Sequence, residues 1–473
     1  MIPVYKPYLP SYVLKYAHDV IDSGWISCRG PYVEKTTEKL QELLNVKHAL
    51  LVSNGTCATH LVAKGLKYKY NNINNIIVPN NVYVAAWNSF LYDGQFDLEV
   101  LDTDLDTWNA DLSSLEVKEN SALLAVHNIG NVINIPRLKE KYPSLLIVED
   151  NCEGFLGKYD NKYSGTESLL SSISFFGNKN ITSGEGGAVL TNDDDIFDYI
   201  TKVYGQGMTK TKFIHDTLGY NYRMTNVQAA ILYGQLKHLN EILYRKEVVF
   251  DTYKRLLSGL EDKIAFQKVE EGTKHSNWMF GIRIKGNVSY NKAEKYFTDC
   301  GVEIRPMFYD IDYHKHISIS KDNRKTKNGL LLNDEVIILP SYPTLTLDEL
   351  QYICNCIKNY VNINKNNLIG PELVSRPKLY RTLTCPTGAH GGDYIGRYYY
   401  SSYDLRTEEL RKVINSINNG LYKTNNDVFS ILSKFEYFRN TPGFIKENHN
   451  NYVENIIEEA DKVINDYYDS LEK

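Results

Sequence analysis

A single lysine stands among small residues in the stretch SFFGNKNITSGEGGAVLTND, positions 174 to 193. Apolar runs flank this stretch and are typical of two buried strands, so we expect Lys179 to lie in the loop between them. The glycine spacing fits neither a Walker phosphate loop nor a dinucleotide-binding fingerprint. An amine held in a desolvated pocket near other charges can attack a carbonyl. The stretch therefore predicts Schiff-base chemistry at Lys179.

Two other polar clusters follow apolar runs. In LLVSNGTCATHL, Gly55 and Thr56 begin a predicted helix, and the free N–H groups and dipole of a helix N-terminus bind phosphate. An ordinary capped helix explains the same residues. In LLIVEDNCEGFLG, Asp150 ends an apolar run, where a carboxylate needs a cationic partner. A structural ion pair, a helix cap and a protonated cofactor nitrogen all remain open, and Glu153 follows in the same turn.

The elements that must position these residues alternate along the chain. The short apolar runs HALLV, IIVP, LEVLD, ALLAVH and LLIVED alternate with segments of helical periodicity such as KTTEKLQELLN. This alternation favours a mainly parallel sheet, whose ligands bind beyond the carboxyl ends of the strands. A phosphate cradle, a buried carboxylate and a loop lysine at that edge match the needs of pyridoxal phosphate.

The composition disfavours other classes of protein. The 473-residue chain has a net charge of -5, which gives no basic footprint for nucleic acid. No stretch approaches the ~18 consecutive apolar residues of a membrane span, so we expect no membrane partner. The seven cysteines are scattered, as expected of reduced thiols in the cytoplasm. The pairs Cys354 and Cys356, and His390 and Asp393, are weak evidence for a site, so we predict no metal.

Several longer motifs resemble the DegT/StrS-type sugar aminotransferases, which are fold-type-I pyridoxal-phosphate enzymes. The resemblance covers roughly residues 3 to 362 and rests on SGWISCRGPYV, SNGTCATHLVAKGL, VEDNCEG, the lysine stretch and LGYNYRMTNVQAAILYGQL. Within the family, the chain is most similar to perosamine- and viosamine-type synthases of 4-amino-4,6-dideoxyhexoses. The resemblance implies that a nucleotide-linked 4-keto-6-deoxyhexose is aminated with glutamate as donor.

The resemblance also implies the fold and the domain organisation. Residues 1–236 would form the large α/β domain that binds pyridoxal phosphate on a mainly parallel sheet, and residues 237–362 a smaller α/β domain that covers the site. Residues 365–473 lie beyond the resemblance and form an appendage of unknown role whose sequence is helical in pattern.

Cofactor-binding roles follow from the matching motifs. The resemblance makes Lys179 the Schiff-base lysine and Asp150 the partner of the pyridine nitrogen. It places Glu153 near the ring hydroxyl and stacks Tyr83 on the cofactor ring. The residues that would hold the phosphate are Gly55, Thr56 and Ser174.

Two further motifs concern the neighbouring subunit and the substrate. Asn221 would reach the cofactor phosphate of the neighbouring subunit, which implies a homodimer with shared active sites. Arg305 and Tyr309 would contact substrate. Many relatives have Pro and His where this chain has Asp310 and Asp312, so the contacts of that loop are expected to differ.

Three other functions are compatible with the same motifs. Family members with His in place of the lysine catalyse dehydration, so Lys179 favours transamination. Amination at C3 of the sugar is another reaction of the same cofactor. A non-catalytic pyridoxal-phosphate-binding regulator has no need of the lysine, whereas this chain retains Lys179, Asp150 and Asn221 together.

Overall fold

The computed structural model describes residues 1–287, 289–317 and 327–363. The predicted appendage, residues 365–473, lies outside the described residues, as do His390 and Asp393. The described residues form fourteen β-strands and eleven α-helices.

The strands are, in chain order, β1 (His48–Val52), β2 (Asn75–Pro79), β3 (Asp97–Leu101), β4 (Ser121–Val126), β5 (Leu146–Asp150), β6 (Lys158–Tyr159), β7 (Lys162–Tyr163), β8 (Ser171–Ser174), β9 (Gly187–Thr191), β10 (Ile264–Phe266), β11 (Thr273–Lys274), β12 (Phe280–Ile284), β13 (Arg305–Pro306) and β14 (Val336–Leu339). The helices are α1 (Ser11–Ser23), α2 (Pro31–Leu44), α3 (Gly55–Lys69), α4 (Ala85–Leu91), α5 (Ile135–Lys141), α6 (Asp194–Tyr204), α7 (Asn226–Lys237), α8 (Leu239–Leu257), α9 (Tyr290–Asp299), α10 (Asn328–Glu335) and α11 (Leu347–Ile363).

A seven-stranded sheet with the order β1-β9-β8-β5-β4-β2-β3 forms the centre of the first half of the chain. The strands from β8 to β3 in this order are parallel to their neighbours. β9 is antiparallel to both β1 and β8. The predicted α/β fold with a mainly parallel sheet is therefore confirmed, and the apolar runs named above lie in its strands.

Helices cover both faces of this sheet, which explains why its central strands are apolar at consecutive positions. Successive side chains of β4 point to opposite faces. Leu124 packs in one cluster with Leu61 of α3 and Trp87 of α4. Its neighbour Leu123 packs in another cluster with Ile135 of α5. All of these side chains are fully or almost fully buried.

A second, antiparallel sheet has the order β10-β12-β14-β13. Its cluster joins Ile282 of β12 and Ile337 of β14 to Val249 of α8 and Ile353 of α11. The start of the chain also packs there, because Ile2 forms a parallel bridge with Val302. The remaining strands form a small sheet in the order β11-β6-β7.

The predicted domain division between residues 236 and 237 falls near the junction of α7 and α8. The division itself stays a prediction, since the first residues of the chain pack with the second cluster. Within the described residues, no helix combines the length and the apolar content that a membrane crossing requires.

Candidate active site

A cavity of about 460 Å³ lies where the parallel strands end and the second sheet approaches them. The main sheet contributes Asp150 from the end of β5 and Ser174 from the end of β8. The second sheet contributes Arg305 from β13 and Ile338 from β14. The sequence-predicted carboxylate, phosphate and lysine positions thus meet in one cavity.

The N-terminus of α3 forms one wall of the cavity. The Asn54 side chain caps the helix by accepting a hydrogen bond from the Cys57 N–H at 2.9 Å. The N–H groups of Gly55 and Thr56 precede the first intrahelical bonds and have no acceptor within the helix. A Cβ at position 55 would lie 2.7 Å from Cβ of Ser174, so only glycine allows α3 to begin so close to β8.

A buried carboxylate lies at the end of β5. Asp150 is only 7% exposed, and its Oδ1 accepts a hydrogen bond from the Cys152 N–H at 3.0 Å. Among the described residues, no basic group lies within 4.0 Å of this carboxylate. The structural ion pair considered from sequence therefore does not account for Asp150. Because an isolated buried charge is costly, the carboxylate favours a cationic ligand.

Lys179 lies in the loop between β8 and β9, as predicted, and lines the cavity. Its backbone carbonyl accepts a hydrogen bond from the Tyr5 hydroxyl at 2.6 Å. Its Nζ lies 3.9 Å from the ring centroid of Trp278. The indole Nε1 of Trp278 donates to the carbonyl of Asn178 at 2.9 Å, so one tryptophan contacts both the loop backbone and the amine.

Residues 9–358, which are most of the chain, match the DegT/DnrJ/EryC1/StrS aminotransferase family. The chain belongs to this family. This chain is 35% identical to the curated GDP-perosamine synthase of Escherichia coli O157:H7, over 76% of this chain and 98% of that protein. It is 36% identical to GDP-perosamine synthase of Vibrio cholerae over 76% of this chain and 100% of that protein.

Solved structures confirm the fold. The aminotransferase PseC of Helicobacter pylori, which takes part in pseudoaminic acid biosynthesis, superposes with a TM-score of 0.69 at 24% identity and covers 76% of this chain and 98% of its own. E. coli GDP-4-keto-6-deoxy-D-mannose-3-dehydratase with bound hydrated pyridoxal phosphate also gives a TM-score of 0.69, at 21% identity, over 75% of this chain and 99% of its own.

Sugar aminotransferases of this family use pyridoxal phosphate, and the residues present fit this cofactor. The orphaned N–H groups at the start of α3 and the nearby Ser174 hydroxyl suit its phosphate. The buried carboxylate of Asp150 suits its protonated ring nitrogen. The Lys179 amine lines the same cavity and would suit the cofactor carbonyl as a nucleophile.

Glu153 lies in the interior of the aminotransferase beside this cavity. Its side chain is buried, and its Oε2 accepts a hydrogen bond from the Ile129 N–H at 2.8 Å. Burial raises the pKa of Glu153 to about 7, and the nearby charge of Asp150 acts in the same direction. The positive charge of Lys179 opposes this rise. The buried carboxyl therefore keeps its proton to a higher pH than an exposed glutamate does.

Two aromatic residues, Tyr83 and Phe308, line the cavity. Tyr83 is 60% exposed, and its ring centroid lies 6.0 Å from that of Phe308. Arg305 lines the same side and is also partly exposed. The stacking of Tyr83 on a cofactor ring and the contact of Arg305 with substrate stay predictions.

Two predicted site residues lie outside the lining of this cavity. Tyr309 is 40% exposed, and its ring lies 5.3 Å from the Tyr313 ring. Asn221 is exposed and pairs with Gly205 as an isolated antiparallel bridge. The location of Asn221 is compatible with a role in another subunit.

Asp310, in the loop that is expected to differ from many relatives, makes buried hydrogen bonds. Asp310 is fully buried, and its Oδ2 accepts a hydrogen bond from Nδ2 of Asn80 at 2.7 Å. Its Oδ1 accepts from the Asp312 N–H at 2.9 Å. The carboxylate thus holds the loop against the end of β2.

Sequence reasoning missed the second-sheet wall of the cavity. The residues concerned are Trp278, Met279, Phe308 and Ile338. All four are apolar or aromatic, and apolar residues in such segments of the sequence predict buried core and not a site. A tryptophan directly before an apolar run, in a chain with only four tryptophans, was the one available signal.

Proposed function

We propose that the chain transfers an amino group from glutamate to the C4 keto group of a GDP-linked 4-keto-6-deoxyhexose, which gives the 4-amino-4,6-dideoxyhexose of the perosamine type. The observation that carries the proposal is the meeting of the Lys179 amine and the buried Asp150 carboxylate in one cavity. The similarity to GDP-perosamine synthases over nearly their whole length supports GDP as the nucleotide and C4 as the position.

Pyridoxal phosphate, when bound, supplies a carbonyl that condenses with amines and a protonated ring that stabilises negative charge on the adjacent carbon. The Asp150 carboxylate would keep the proton on the ring nitrogen through charge pairing. Lys179 would hold the cofactor covalently through Nζ and then move protons between carbon atoms of substrate and cofactor.

The other cavity residues would bind and orient. Gly55 and Thr56 would donate backbone N–H bonds to the phosphate, and the Ser174 hydroxyl would add a third donor. Glu153 would stand near the ring hydroxyl, where its protonated form donates and its ionised form accepts a hydrogen bond. Arg305, which lines the cavity, and Tyr309 would contact the substrate.

The active form would be a homodimer with shared active sites. Asn221 lies outside the cavity of its own chain and is exposed, which supports a contact with the phosphate of a neighbouring subunit. Large apolar side chains near it are exposed too, with Phe213 at 77% and Leu218 at 83%. Met208 and Ile214 of the same short stretch are exposed as well, and several exposed apolar side chains together favour a surface that a partner covers.

The expected compartment is the cytoplasm, since the six cysteines among the described residues are free thiols. Amination at C3, dehydration and a regulatory role remain alternatives. The dehydratase structures and a "pleiotropic regulatory protein" from Geobacillus stearothermophilus, 25% identical, are related to this chain. Lys179 favours amination over dehydration and regulation.

The proposal is tested with purified protein, pyridoxal phosphate, glutamate and a panel of GDP-, UDP- and dTDP-linked 4-keto-6-deoxyhexoses. Mass spectrometry should show the exchange of the carbonyl oxygen for an amine in the GDP sugar. Lys179→Ala protein is the matched control and should give no product. A sugar product that has lost its C3 hydroxyl and gained no nitrogen would indicate a dehydratase, and an absence of amination in the whole panel would contradict the proposal.

A further inference from the structure

The segment that carries Asn221 is extended and held on both sides. Its neighbour Tyr222 accepts a hydrogen bond at its carbonyl from the Ser53 N–H at 2.7 Å, and its own N–H donates to the Tyr204 carbonyl at 3.1 Å. Because side chains alternate along an extended chain, Tyr220 and Tyr222 lie on one side and Asn221 on the other. The two tyrosine rings stack with centroids 4.8 Å apart at 12°.

A buried histidine of α3 hydrogen-bonds Tyr222 directly and is linked to Tyr220 through Asp93. His60 is 2% exposed, and its Nδ1 lies 3.0 Å from the Tyr222 hydroxyl. Its Nε2 lies 3.2 Å from Oδ2 of Asp93. A carboxylate only accepts hydrogen bonds, so Nε2 carries the proton and Nδ1 accepts from Tyr222. Asp93 also accepts from the Tyr220 hydroxyl at 3.3 Å and pairs with Lys64 at 3.0 Å.

These hydrogen bonds fix the orientation of the segment that carries Asn221 more closely than apolar packing would. Each hydrogen bond fixes a distance and an angle, and a buried donor or acceptor that loses its partner destabilises the arrangement. Burial lowers the pKa of His60, so the neutral form required by this pattern persists at neutral pH. His60 also lies on α3, whose N-terminus forms the phosphate end of the chain's own cavity.

We propose that His60, Asp93, Tyr220 and Tyr222 form an anchor that positions Asn221 for the active site of a second copy of the chain. The proposal rests on the shared active site inferred under "Proposed function". The four residues act through Asn221 and are positioning residues. A second copy is the chosen occupant because the apolar side chains of Phe213 and Leu218 lie exposed on the same stretch.

The test uses purified mixed dimers, made by co-expressing two differently tagged variants. His60→Leu removes both hydrogen bonds of the histidine, and Tyr222→Phe removes one while keeping the ring stack. In homodimers, His60→Leu should weaken the binding of pyridoxal phosphate about tenfold and Tyr222→Phe by less, as measured by equilibrium dialysis. Turnover should fall in the same order.

Rescue in trans separates positioning from a local structural role. A mixed dimer of His60→Leu and Lys179→Ala contains one site with an intact Lys179 and an Asn221 from the subunit with the intact anchor. That site should bind pyridoxal phosphate with wild-type affinity and turn over at about half the wild-type rate per dimer. If that site still binds pyridoxal phosphate weakly, His60 acts only on α3 of its own subunit and the proposal is wrong. Tyr222→Phe in the same pairing gives the same decision should His60→Leu fail to fold.

Two controls keep the interpretations apart. His48→Leu removes a histidine that also pairs with a carboxylate, Asp194, and stacks on an aromatic ring, Phe197, but lies away from Asn221. It should leave cofactor affinity unchanged. A mixed dimer of Asn221→Ala and Lys179→Ala tests the shared site itself. No rescue there would refute the shared site, whereas rescue there without rescue of His60→Leu would refute only the anchor.

Discussion

The Nζ of Lys179 lies 3.9 Å from the ring centroid of Trp278, across the gap between the two sheets. A tryptophan face attracts a cation within about 6 Å of its centroid. The indole N–H at the same time holds the carbonyl of Asn178, and Nδ2 of Asn180 donates to the Ser276 carbonyl at 2.7 Å. Residues 276–278 therefore hold three consecutive residues of the lysine loop.

Replacing Trp278 should separate the backbone contact from the ring contact. Trp278→Phe keeps a ring but leaves the Asn178 carbonyl without its donor, so the free energy of unfolding in urea should fall by about 1–3 kcal/mol. Trp278→Leu also removes the ring from Lys179, and turnover should fall further. The matched control is Trp87→Phe, which removes an indole N–H bond to the Pro79 carbonyl at a residue that does not line the cavity. The Trp87→Phe variant should lose a similar free energy of unfolding but little turnover. If Trp87→Phe and Trp278→Phe lost turnover equally, the role of Trp278 would be contradicted.

Lys179→Ala should abolish the covalent link to pyridoxal phosphate while leaving the start of α3 and Asp150 intact. The mutant should still bind the cofactor non-covalently, but turnover should fall by several orders of magnitude, because one residue supplies both the covalent link and the proton transfer. Borohydride reduction followed by peptide mapping of wild-type protein should place the cofactor on Lys179. Lys210→Ala, an exposed lysine outside the cavity, is the control and should behave like wild type. Cofactor found on another lysine would overturn the mechanism.

The sequence predicted the part of the site that lies at strand ends. Asp150, Ser174 and Lys179 each follow or end an apolar run, and parallel strands place such positions at one edge. Trp278 and Tyr5 could not be predicted, because their contacts with the lysine loop join segments distant in sequence that carry no local polar pattern. The same applies to the Asp310 contact with Asn80, which depends on how a loop of the second half meets the main sheet.

Glu153 should make the stability of the cofactor-free protein depend on pH. Burial raises its pKa from an ordinary value of 4.5 to about 7. The folded protein thus binds this proton more tightly than the unfolded chain, so the contribution is full below pH 4.5 and is lost as pH rises through 7. Between these limits, the free energy of unfolding should fall by about 3 kcal/mol relative to Glu153→Gln protein.

The measurement is urea unfolding of cofactor-free wild type and Glu153→Gln protein at steps from pH 5 to pH 8. The difference between the two proteins matters, because the other titrating groups are common to both. Wild type should lose stability relative to the Gln variant as pH rises. Curves that stay parallel over this range would show that the Glu153 carboxyl titrates alike in the folded and unfolded chain.

A chain that ends after residue 363 should fold and bind pyridoxal phosphate like the full chain. The family match ends at residue 358, and the GDP-perosamine synthases are covered over 98–100% of their length by 76% of this chain. The helix α11 completes the second cluster, in which Ile353 and Ile357 are fully buried. Cofactor affinity by equilibrium dialysis and the free energy of unfolding in urea should therefore match those of the full chain. A second truncation after residue 346 removes α11 and with it these buried side chains, so it should fail to fold. If the chain ending at 363 folds but does not bind the cofactor, residues 365–473 belong to the catalytic unit and the predicted division is wrong.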